Sequence, residues 1–297
     1  MKINTNNIAS LAMLVRLSFT FFAGAKTDKK QSAKIEEEEG ISTGTAKVIK
    51  NLFARGDLAG LRAVNAKLGN QLNLLTLPWD DRGYRLLPAK AFTQFQKVVL
   101  ELTEEHDLEV RKLQGMYPNI LAEREWELKG LFDAADYPLV QDLPQRYKIN
   151  VSYGAIPDTG NWKMDLLSHA QQTELKASVE ATLGKQMGDA QKESVLRLIE
   201  AFSHLRERLD YTANEDKKIF RDTTVNRVSE LLAVAQEMNF ANDPEIDAAI
   251  AKAKERLCPQ NITPDLVRHN PEARQVLCSR LEETVNEMTE QFGGLIS

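Results

Sequence analysis

Residues 15–21, Val15-Arg16-Leu17-Ser18-Phe19-Thr20-Phe21, alternate between apolar and polar side chains and are rich in β-branched and aromatic types. This period of two is typical of a β-strand with one buried face. Residues 148–153 and 161–166 alternate in the same way on either side of the turn sequence Pro157-Asp158-Thr159-Gly160. The N-terminal half of the chain is therefore predicted to contain β-structure as well as helices.

A second hairpin is predicted around Pro78-Trp79-Asp80-Asp81-Arg82-Gly83. Proline fixes φ, aspartate side chains bond to the backbone and glycine accepts a positive φ, so this sequence favours a tight turn. Residues 72–77 and 84–87 would be the two strands that the turn connects.

Helical spacing of apolar residues predicts helices over residues 46–68, 92–115 and 119–132, with Pro118 between the last two. Residues 26–44 combine lysines, four consecutive glutamates and glycines. Adjacent blocks of opposite charge with glycines are typical of an exposed loop, which is the prediction for this segment.

From about residue 167 onward the pattern is helical, and no strand is predicted. One apolar stripe consists of Val195, Ile199, Phe202, Leu205 and Leu209, and a similar stripe recurs in the next helix. Narrow stripes flanked by charged residues favour antiparallel helix hairpins or a short coiled coil. The last four residues of the first stripe, Ile199, Phe202, Leu205 and Leu209, form a candidate helix-interaction seam. Core packing within the chain is the favoured interpretation, and contact with another chain is the alternative.

These patterns predict an α+β fold. Residues 1–166 would form a mixed domain, in which a small antiparallel sheet of β-hairpins packs on helices. Residues 167–297 would form an all-α domain of helical hairpins. A chain of 297 residues is long enough for one large domain or two ordinary ones.

Composition favours a cytoplasmic protein. The chain has only two cysteines, Cys258 and Cys278, which suits a reducing compartment better than a disulfide framework. Residues 8–22 superficially resemble a signal peptide, but Arg16 interrupts the apolar run. No segment is apolar over enough residues to cross a bilayer, so no membrane association is expected.

The net charge of −5 lowers the expectation of a dedicated DNA-binding protein.

No motif predicts catalysis, and no catalytic, cofactor-binding or metal-binding residue is assigned. His106 lies among Glu104, Glu105, Asp107 and Glu109, but no second histidine stands one helical turn away, as a zinc helix requires. This segment is interpreted as a solvated acidic helix face. In residues 40–47, Lys47 is followed by valine and not by the serine or threonine of a phosphate-binding loop. The protein is therefore predicted not to be an enzyme and to use no cofactor.

A nucleic-acid interface is an alternative prediction, for which the candidate contacts are Lys26, Lys29, Lys30, Lys34, Trp79 and Arg82. Lysines attract phosphates, and aromatic rings exposed on a sheet stack on bases. The simpler interpretation, which is favoured, has the aromatic rings packing the sheet against the helices.

Two stretches resemble a known family. One is residues 76–88, Thr-Leu-Pro-Trp-Asp-Asp-Arg-Gly-Tyr-Arg-Leu-Leu-Pro, and the other is residues 130–138, continued through 149–151, 156–158 and 161–166. Together they resemble uncharacterised proteins of bacteriophages and integrative mobile elements, over roughly the N-terminal 170 residues. The family has no assigned activity. The resemblance implies that the gene for this protein lies near genes for MoxR-type ATPases, von Willebrand-type proteins and recombination.

The expected function is that of a non-enzymatic accessory protein of a phage or mobile element. It would act as a scaffold or adaptor through protein–protein contacts, as a homo-oligomer, with an AAA+ ATPase or a host defence protein as the candidate partner. The alternative is a nucleic-acid-binding protein of phage recombination, or an inhibitor of a host nuclease. A virion component is a third hypothesis.

Overall fold

The computed structural model of the chain describes residues 8–157, 168–210, 222–240, 242–257 and 269–296. Two compact units interleave along the sequence. Unit 1 comprises Met1–Arg16, Leu72–Phe95 and Ser152–Ser297, and unit 2 comprises Leu17–Gln71 and Gln96–Val151. The predicted domain boundary after residue 166 and the predicted strand at 161–166 lie outside the described residues and stay predictions.

The strands, in chain order, are β1 (Ala12–Phe21), β2 (Ala25–Asp28), β3 (Val48–Asn51), β4 (Leu77–Pro78), β5 (Arg85–Pro88) and β6 (Tyr147–Gly154). The helices are α1 (Ile8–Leu11), α2 (Lys29–Glu38), α3 (Ala59–Leu75), α4 (Phe92–Leu128), α5 (Leu143–Arg146), α6 (His169–Leu209), α7 (Asp222–Met238), α8 (Pro244–Leu257) and α9 (Pro271–Ile296). Within the described parts of the chain, none of these helices combines the length and apolarity that crossing a bilayer requires.

The small sheet confirms the α+β prediction. Its strand order is β4-β5-β1-β6, and β5 pairs antiparallel with β1, where Ala12 lies opposite Pro88. The predicted strand over 72–77 is wrong, since α3 continues to Leu75 and β4 contains only two residues. Leu68, Leu72 and Leu75 are buried at helical spacing, so core packing extends the helix through this segment.

Residues 25–51 form a two-stranded ribbon with a helix between its strands, which corrects the predicted exposed loop. Strand β2 pairs antiparallel with β3, with Lys26 opposite Lys50. The Asp28 side chain caps α2 by accepting a hydrogen bond from the Gln31 amide at 3.0 Å. The loop was predicted from the charge of this segment. Lysine and glutamate are also compatible with a short helix that is capped and packed, so charge alone does not distinguish the two.

The predicted helix over 46–68 is wrong in its first half, because residues 48–51 form β3 and α3 begins only at Ala59. Val48 and Ile49 are β-branched and suit a strand. A turn then separates the strand from the helix, and within it the Asp57 carboxylate accepts a hydrogen bond from the Ala54 amide at 2.6 Å.

Gly24 connects β1 to β2 in a conformation that requires glycine. Its φ is +68°, and a Cβ atom there would lie 2.3 Å from Cδ2 of Phe53. The Gly24 carbonyl accepts a hydrogen bond from the Leu52 amide at 2.6 Å. Residues 23–25, which follow the apolar run that resembles a signal peptide, therefore belong to a tight connection between two strands.

Helix α4 is continuous, whereas two helices separated at Pro118 were predicted. Proline removes one backbone hydrogen bond and usually ends or kinks a helix. Here Val110, Leu113, Tyr117 and Ile120, on both sides of the proline, are buried on one helical face. We infer that burial on both sides offsets the lost bond and keeps the two segments in one helix.

The core of unit 2 is aromatic and lies between α3, α4 and the segment from residue 132 to 147. Its buried members are Leu52, Phe53, Leu58, Leu61, Val110, Leu113, Tyr117, Ile120, Tyr137, Leu143 and Tyr147. The two most buried tyrosines satisfy their hydroxyl groups, because Tyr117 donates to the Pro138 carbonyl at 2.7 Å and Tyr147 donates to the Phe22 carbonyl at 2.9 Å.

Helices α6 to α9 share one apolar core in unit 1, as their stripes predicted. Each helix contacts two others: α6 packs on α7 and α9, and α8 packs on the same two. Helix α6 begins with a capping box formed by Ser168 and Gln171. Each large apolar side chain fully buried here contributes about 1.5–3 kcal/mol to folding.

Candidate functional site

The lysines predicted to contact nucleic acid have different environments. Lys29 and Lys30 lie in the first turn of α2 and are exposed, and Lys34 lies 3.6 Å from the Glu38 carboxylate. Lys26 is half exposed and forms an ion pair with Asp136. Lys29 and Lys30 are thus the members of this set most open to a partner.

The turn that carries Trp79 and Arg82 forms as predicted. The Asp80 carboxylate accepts hydrogen bonds from the amides of Arg82 at 3.0 Å and Tyr84 at 2.9 Å, and Gly83 has a φ of +86°. Arg82 is exposed, but Trp79 is buried. Since base stacking needs an open ring face, Trp79 does not offer one in this conformation.

A buried ionic cluster, which the sequence did not reveal, joins the β2–β3 ribbon to residues 131–136. The Lys50 ammonium lies 2.6 Å from the Asp136 carboxylate and 3.7 Å from that of Asp28, and it donates to the Leu131 carbonyl at 3.1 Å. The bond to Asp136 raises the pKa of Lys50 despite its burial. Burial acts to raise the pKa of Asp136, but Lys26 and Lys50 together hold it below its usual range. Every charge in this cluster has a counter-charge, so the cluster is suited to a structural role.

Glu36, from the run of four glutamates, is buried and organises the loop after α2. Its carboxylate accepts hydrogen bonds from the amides of Gly44 at 2.7 Å and Ala46 at 3.1 Å. Ser32, on the same helix, accepts one from the Val48 amide at 3.0 Å through its hydroxyl oxygen. Residues 40–47 are therefore held by side chains of α2.

His106 is only 2% exposed, which corrects the interpretation of its segment as a solvated helix face. Burial lowers the pKa of His106, and the neighbouring Asp107 opposes this only in part. The imidazole is a core residue on the same side of α4 as Val110 and Leu113. In the described ranges, no three His, Cys, Asp or Glu side chains lie close enough to hold a metal ion.

In unit 1, two arginines converge on the C-terminal end of α3. Arg85 donates to the Thr76 hydroxyl at 2.6 Å and to the Thr76 carbonyl at 3.2 Å, while Arg197 donates to the carbonyls of Asn73 and Thr76 at 2.5 and 2.9 Å. Burial and the charge of Arg197 lower the pKa of Arg85 to about 10. Helix C-termini carry partial negative charge, so these guanidinium groups cap the helix.

The candidate seam on α6 lies inside unit 1. Phe202, Leu205 and Leu209 are buried in the shared core of α6 to α9, and Ile199 packs against that core while partly exposed. The stripe therefore contributes to packing within the chain, as the favoured interpretation of the sequence predicts.

The most exposed large apolar side chain among the described residues is Trp126, at 77%. It lies in the last turn of α4, and the flanking residues Glu123, Glu125 and Glu127 are exposed as well. The buried residues Val110, Leu113, Tyr117 and Ile120 fix the helical phase of α4 and place position 126 on the opposite side. The spacing that separates the buried side of α4 from the side of Trp126 is present in the sequence. The predicted break at Pro118 hid it, because it assigned Trp126 to a different helix from Val110 and Leu113.

Comparison of the chain with protein-family models, with curated proteins and with solved structures found no match. The functional interpretation therefore depends on two surface features of unit 2, namely the exposed Trp126 among glutamates and the exposed lysines at the start of α2.

Proposed function

We propose that the protein is a non-enzymatic accessory factor that binds other proteins. The exposed Trp126 is the observation that carries this proposal. Tryptophan is enriched among the residues that dominate binding energy at protein interfaces, because its ring buries a large area at little cost in conformational entropy. Without a bound partner, the Trp126 ring is in contact with water and does not contribute to the stability of the fold.

The charges around Trp126 favour a basic partner. Glu123 precedes Trp126 by three positions and is therefore its neighbour on the helix surface, and Glu125 is exposed beside it. Complementary charge steers association and selects among partners. The family resemblance supports a partner encoded by a phage or mobile element, and an AAA+ ATPase is the candidate that its gene neighbourhood favours.

A second candidate function, nucleic-acid binding, is favoured by Lys29 and Lys30. Both are exposed in the first turn of a helix that has no acidic residue in that turn. Positive side chains at a helix N-terminus are unfavourable for the helix itself, by about 0.3–1 kcal/mol each. A phosphate backbone would compensate this cost, with binding that weakens steeply as salt is added.

The test compares three immobilised proteins: wild type, Trp126→Ser and Leu100→Ser. Leu100 is also exposed on α4 and serves as the matched control for loss of an apolar side chain. Proteins retained from an extract of host cells are quantified by mass spectrometry. We expect at least one protein that wild type and Leu100→Ser retain and that Trp126→Ser loses.

Light scattering with a short DNA at low and high salt completes the test. A salt-sensitive shift onto DNA that Lys29→Gln with Lys30→Gln abolishes would favour the second candidate. The protein-binding proposal fails if no retained protein depends on Trp126.

A further inference from the structure

We propose that unit 2 forms a two-fold symmetric homodimer, in which the acidic Trp126 surface of one copy contacts the basic α2 surface of the other. The acidic Trp126 surface consists of Glu123, Glu125 and Trp126. The basic α2 surface consists of Lys29, Lys30 and Lys34. The inference rests on the proposed function, in that both use Trp126 to bind a protein, and it names a second copy of this chain as the partner.

The acidic Trp126 surface is negative for two reasons. Its glutamates are exposed, and Glu125 and Trp126 lie in the last turn of α4, which contains no basic residue, while the exposed Lys129 follows that turn directly. The carbonyl groups at a helix C-terminus carry partial negative charge, which adds to that of the glutamates. Acidic side chains here are unfavourable for the helix, so a cation supplied from outside would be stabilising.

The basic α2 surface has the opposite character. Lys29 and Lys30 lie in the first turn of α2, where the backbone amides add partial positive charge. Asp28 caps the helix but is directed to the Gln31 amide and toward Lys50. Lys34 continues the surface one turn further, next to Glu38. Both surfaces thus place charges against the dipoles of their own helices.

A chain of contacts brings the two surfaces to one end of unit 2. Leu131 follows the end of α4 by three residues, and its carbonyl accepts a hydrogen bond from Lys50 at 3.1 Å. The Lys50 ammonium lies 3.7 Å from the Asp28 carboxylate, and Asp28 directly precedes Lys29. Both surfaces therefore lie at the end of unit 2 where α4 ends and α2 begins.

A surface with adjacent patches of opposite charge is complementary to itself after a two-fold rotation. In such an isologous dimer each contact occurs twice, so both Trp126 rings would be covered and both sets of lysines would face glutamates. Each buried tryptophan removes about 150–250 Å² from water. A specific interface usually buries at least about 1,200 Å² in total, so the dimer is expected at the weak end, with a Kd on the order of micromolar.

The experiment uses charge reversal on the 297-residue chain. One variant carries Glu123→Lys with Glu125→Lys, and the other carries Lys29→Glu with Lys30→Glu. All four of these side chains are exposed, and reversal relieves an unfavourable charge in the last turn of α4 (Glu125) and in the first turn of α2 (Lys29 and Lys30), so neither variant is expected to unfold the protein. Glu101→Lys with Glu104→Lys, on the same helix but near its other end, is the matched control. Mass is measured by sedimentation equilibrium.

We expect wild type and the control to dimerise, and each reversed variant alone to dimerise about tenfold or more weakly, because like charges then meet. An equimolar mixture of the two reversed variants should recover the dimer, since each contact again joins opposite charges. Trp126→Ser should weaken the dimer without recovery in any mixture.

A wild-type protein that stays monomeric up to about 200 µM, far above a micromolar Kd, would overturn the homodimer. So would a dimer that is indifferent to both reversals, or a mixture that fails to recover it. A protein retained from the extract only when Trp126 is present would, in that case, still support the proposed function with a different partner.

Discussion

The ammonium group of Lys50 lies 2.6 Å from the carboxylate of Asp136, and the two side chains are only 9% and 2% exposed. This pair connects β3 to the turn that follows α4. Coulombic attraction is strong away from water, but so is the cost of leaving either charge without its partner. The cluster around Asp136 is therefore expected to determine how firmly the ribbon is attached to the rest of unit 2.

Asp136→Asn should lower the free energy of unfolding by about 3 kcal/mol or more, because it leaves the Lys50 charge buried without its closest ion-pair partner. Urea denaturation measures the change. Lys26→Met is the matched control, since Lys26 also pairs with Asp136 but its side chain is 53% exposed. An exposed partner contributes about 1 kcal/mol or less.

The combined variant Lys50→Met with Asp136→Leu removes both buried charges and should cost less than Asp136→Asn alone. If Asp136→Asn were as mild as Lys26→Met, the buried pair would not be the interaction that holds the ribbon.

Glu36 and Glu37 are adjacent in sequence and should respond very differently to substitution by alanine. Glu36 is buried and accepts two backbone hydrogen bonds from residues 44 and 46, whereas Glu37 is exposed. Glu36→Ala removes two hydrogen bonds to a charged carboxylate and should cost about 2–3 kcal/mol of unfolding free energy. Glu37→Ala should change it by about 0.5 kcal/mol or less.

Amide hydrogen exchange gives a local reading of the same variants. The amides of Gly44 and Ala46 should lose protection in Glu36→Ala and keep it in Glu37→Ala. Equal exchange in the two variants would show that the carboxylate of Glu36 does not hold the loop.

The periodic parts of the fold could be predicted from the sequence. The alternation at residues 15–21 and 148–153 and the turn at Asp80 and Gly83 correspond to real strands and a real turn, since local chemistry determines them. The apolar stripes of the C-terminal helices correspond to their buried faces. In these elements the burial pattern and the backbone preference agree.

The errors arose where long-range packing overrides local preference. Pro118 and the charge run at 36–39 are local signals for a break and a loop, yet burial of Tyr117 and Ile120 and the bonds made by Glu36 decide otherwise. The ionic cluster joins Lys26 and Lys50 to Asp136 across a long stretch of chain. No short-range pattern encodes such a contact, so the cluster could not be predicted.

His106 should make the stability depend on pH in the mildly acidic range. Burial lowers its pKa in the folded protein, so the unfolded chain binds the proton first as the pH falls. Stability is therefore fully present above about pH 6.5, the usual histidine value, and falls by up to about 1.4 kcal/mol per pH unit below it. This loss should level off once the pH passes the pKa of the folded state.

Urea denaturation between about pH 7 and 5, above the range of carboxylates, measures this dependence. His106→Gln should remove most of it, while His204→Gln, at an exposed position, should not. A wild-type stability that stays constant over this range would contradict the burial of a neutral imidazole.

Fluorescence quenching should report the exposure of Trp126 and the charge around it. The signal of this residue is the difference between wild type and Trp126→Phe in dilute solution. Because Glu123 and Glu125 attract cations, caesium should quench this difference signal more strongly than iodide when each is scaled to its quenching of free tryptophan, and added salt should reduce the contrast. Glu123→Gln with Glu125→Gln should make the two quenchers similar. The corresponding difference for the buried Trp79, obtained with Trp79→Phe, should respond weakly to both ions.

Equal quenching of the Trp126 signal by caesium and iodide in the wild-type protein would mean that the glutamates do not set the electrostatic potential at the Trp126 ring. The charge argument for a basic partner would then fail as well.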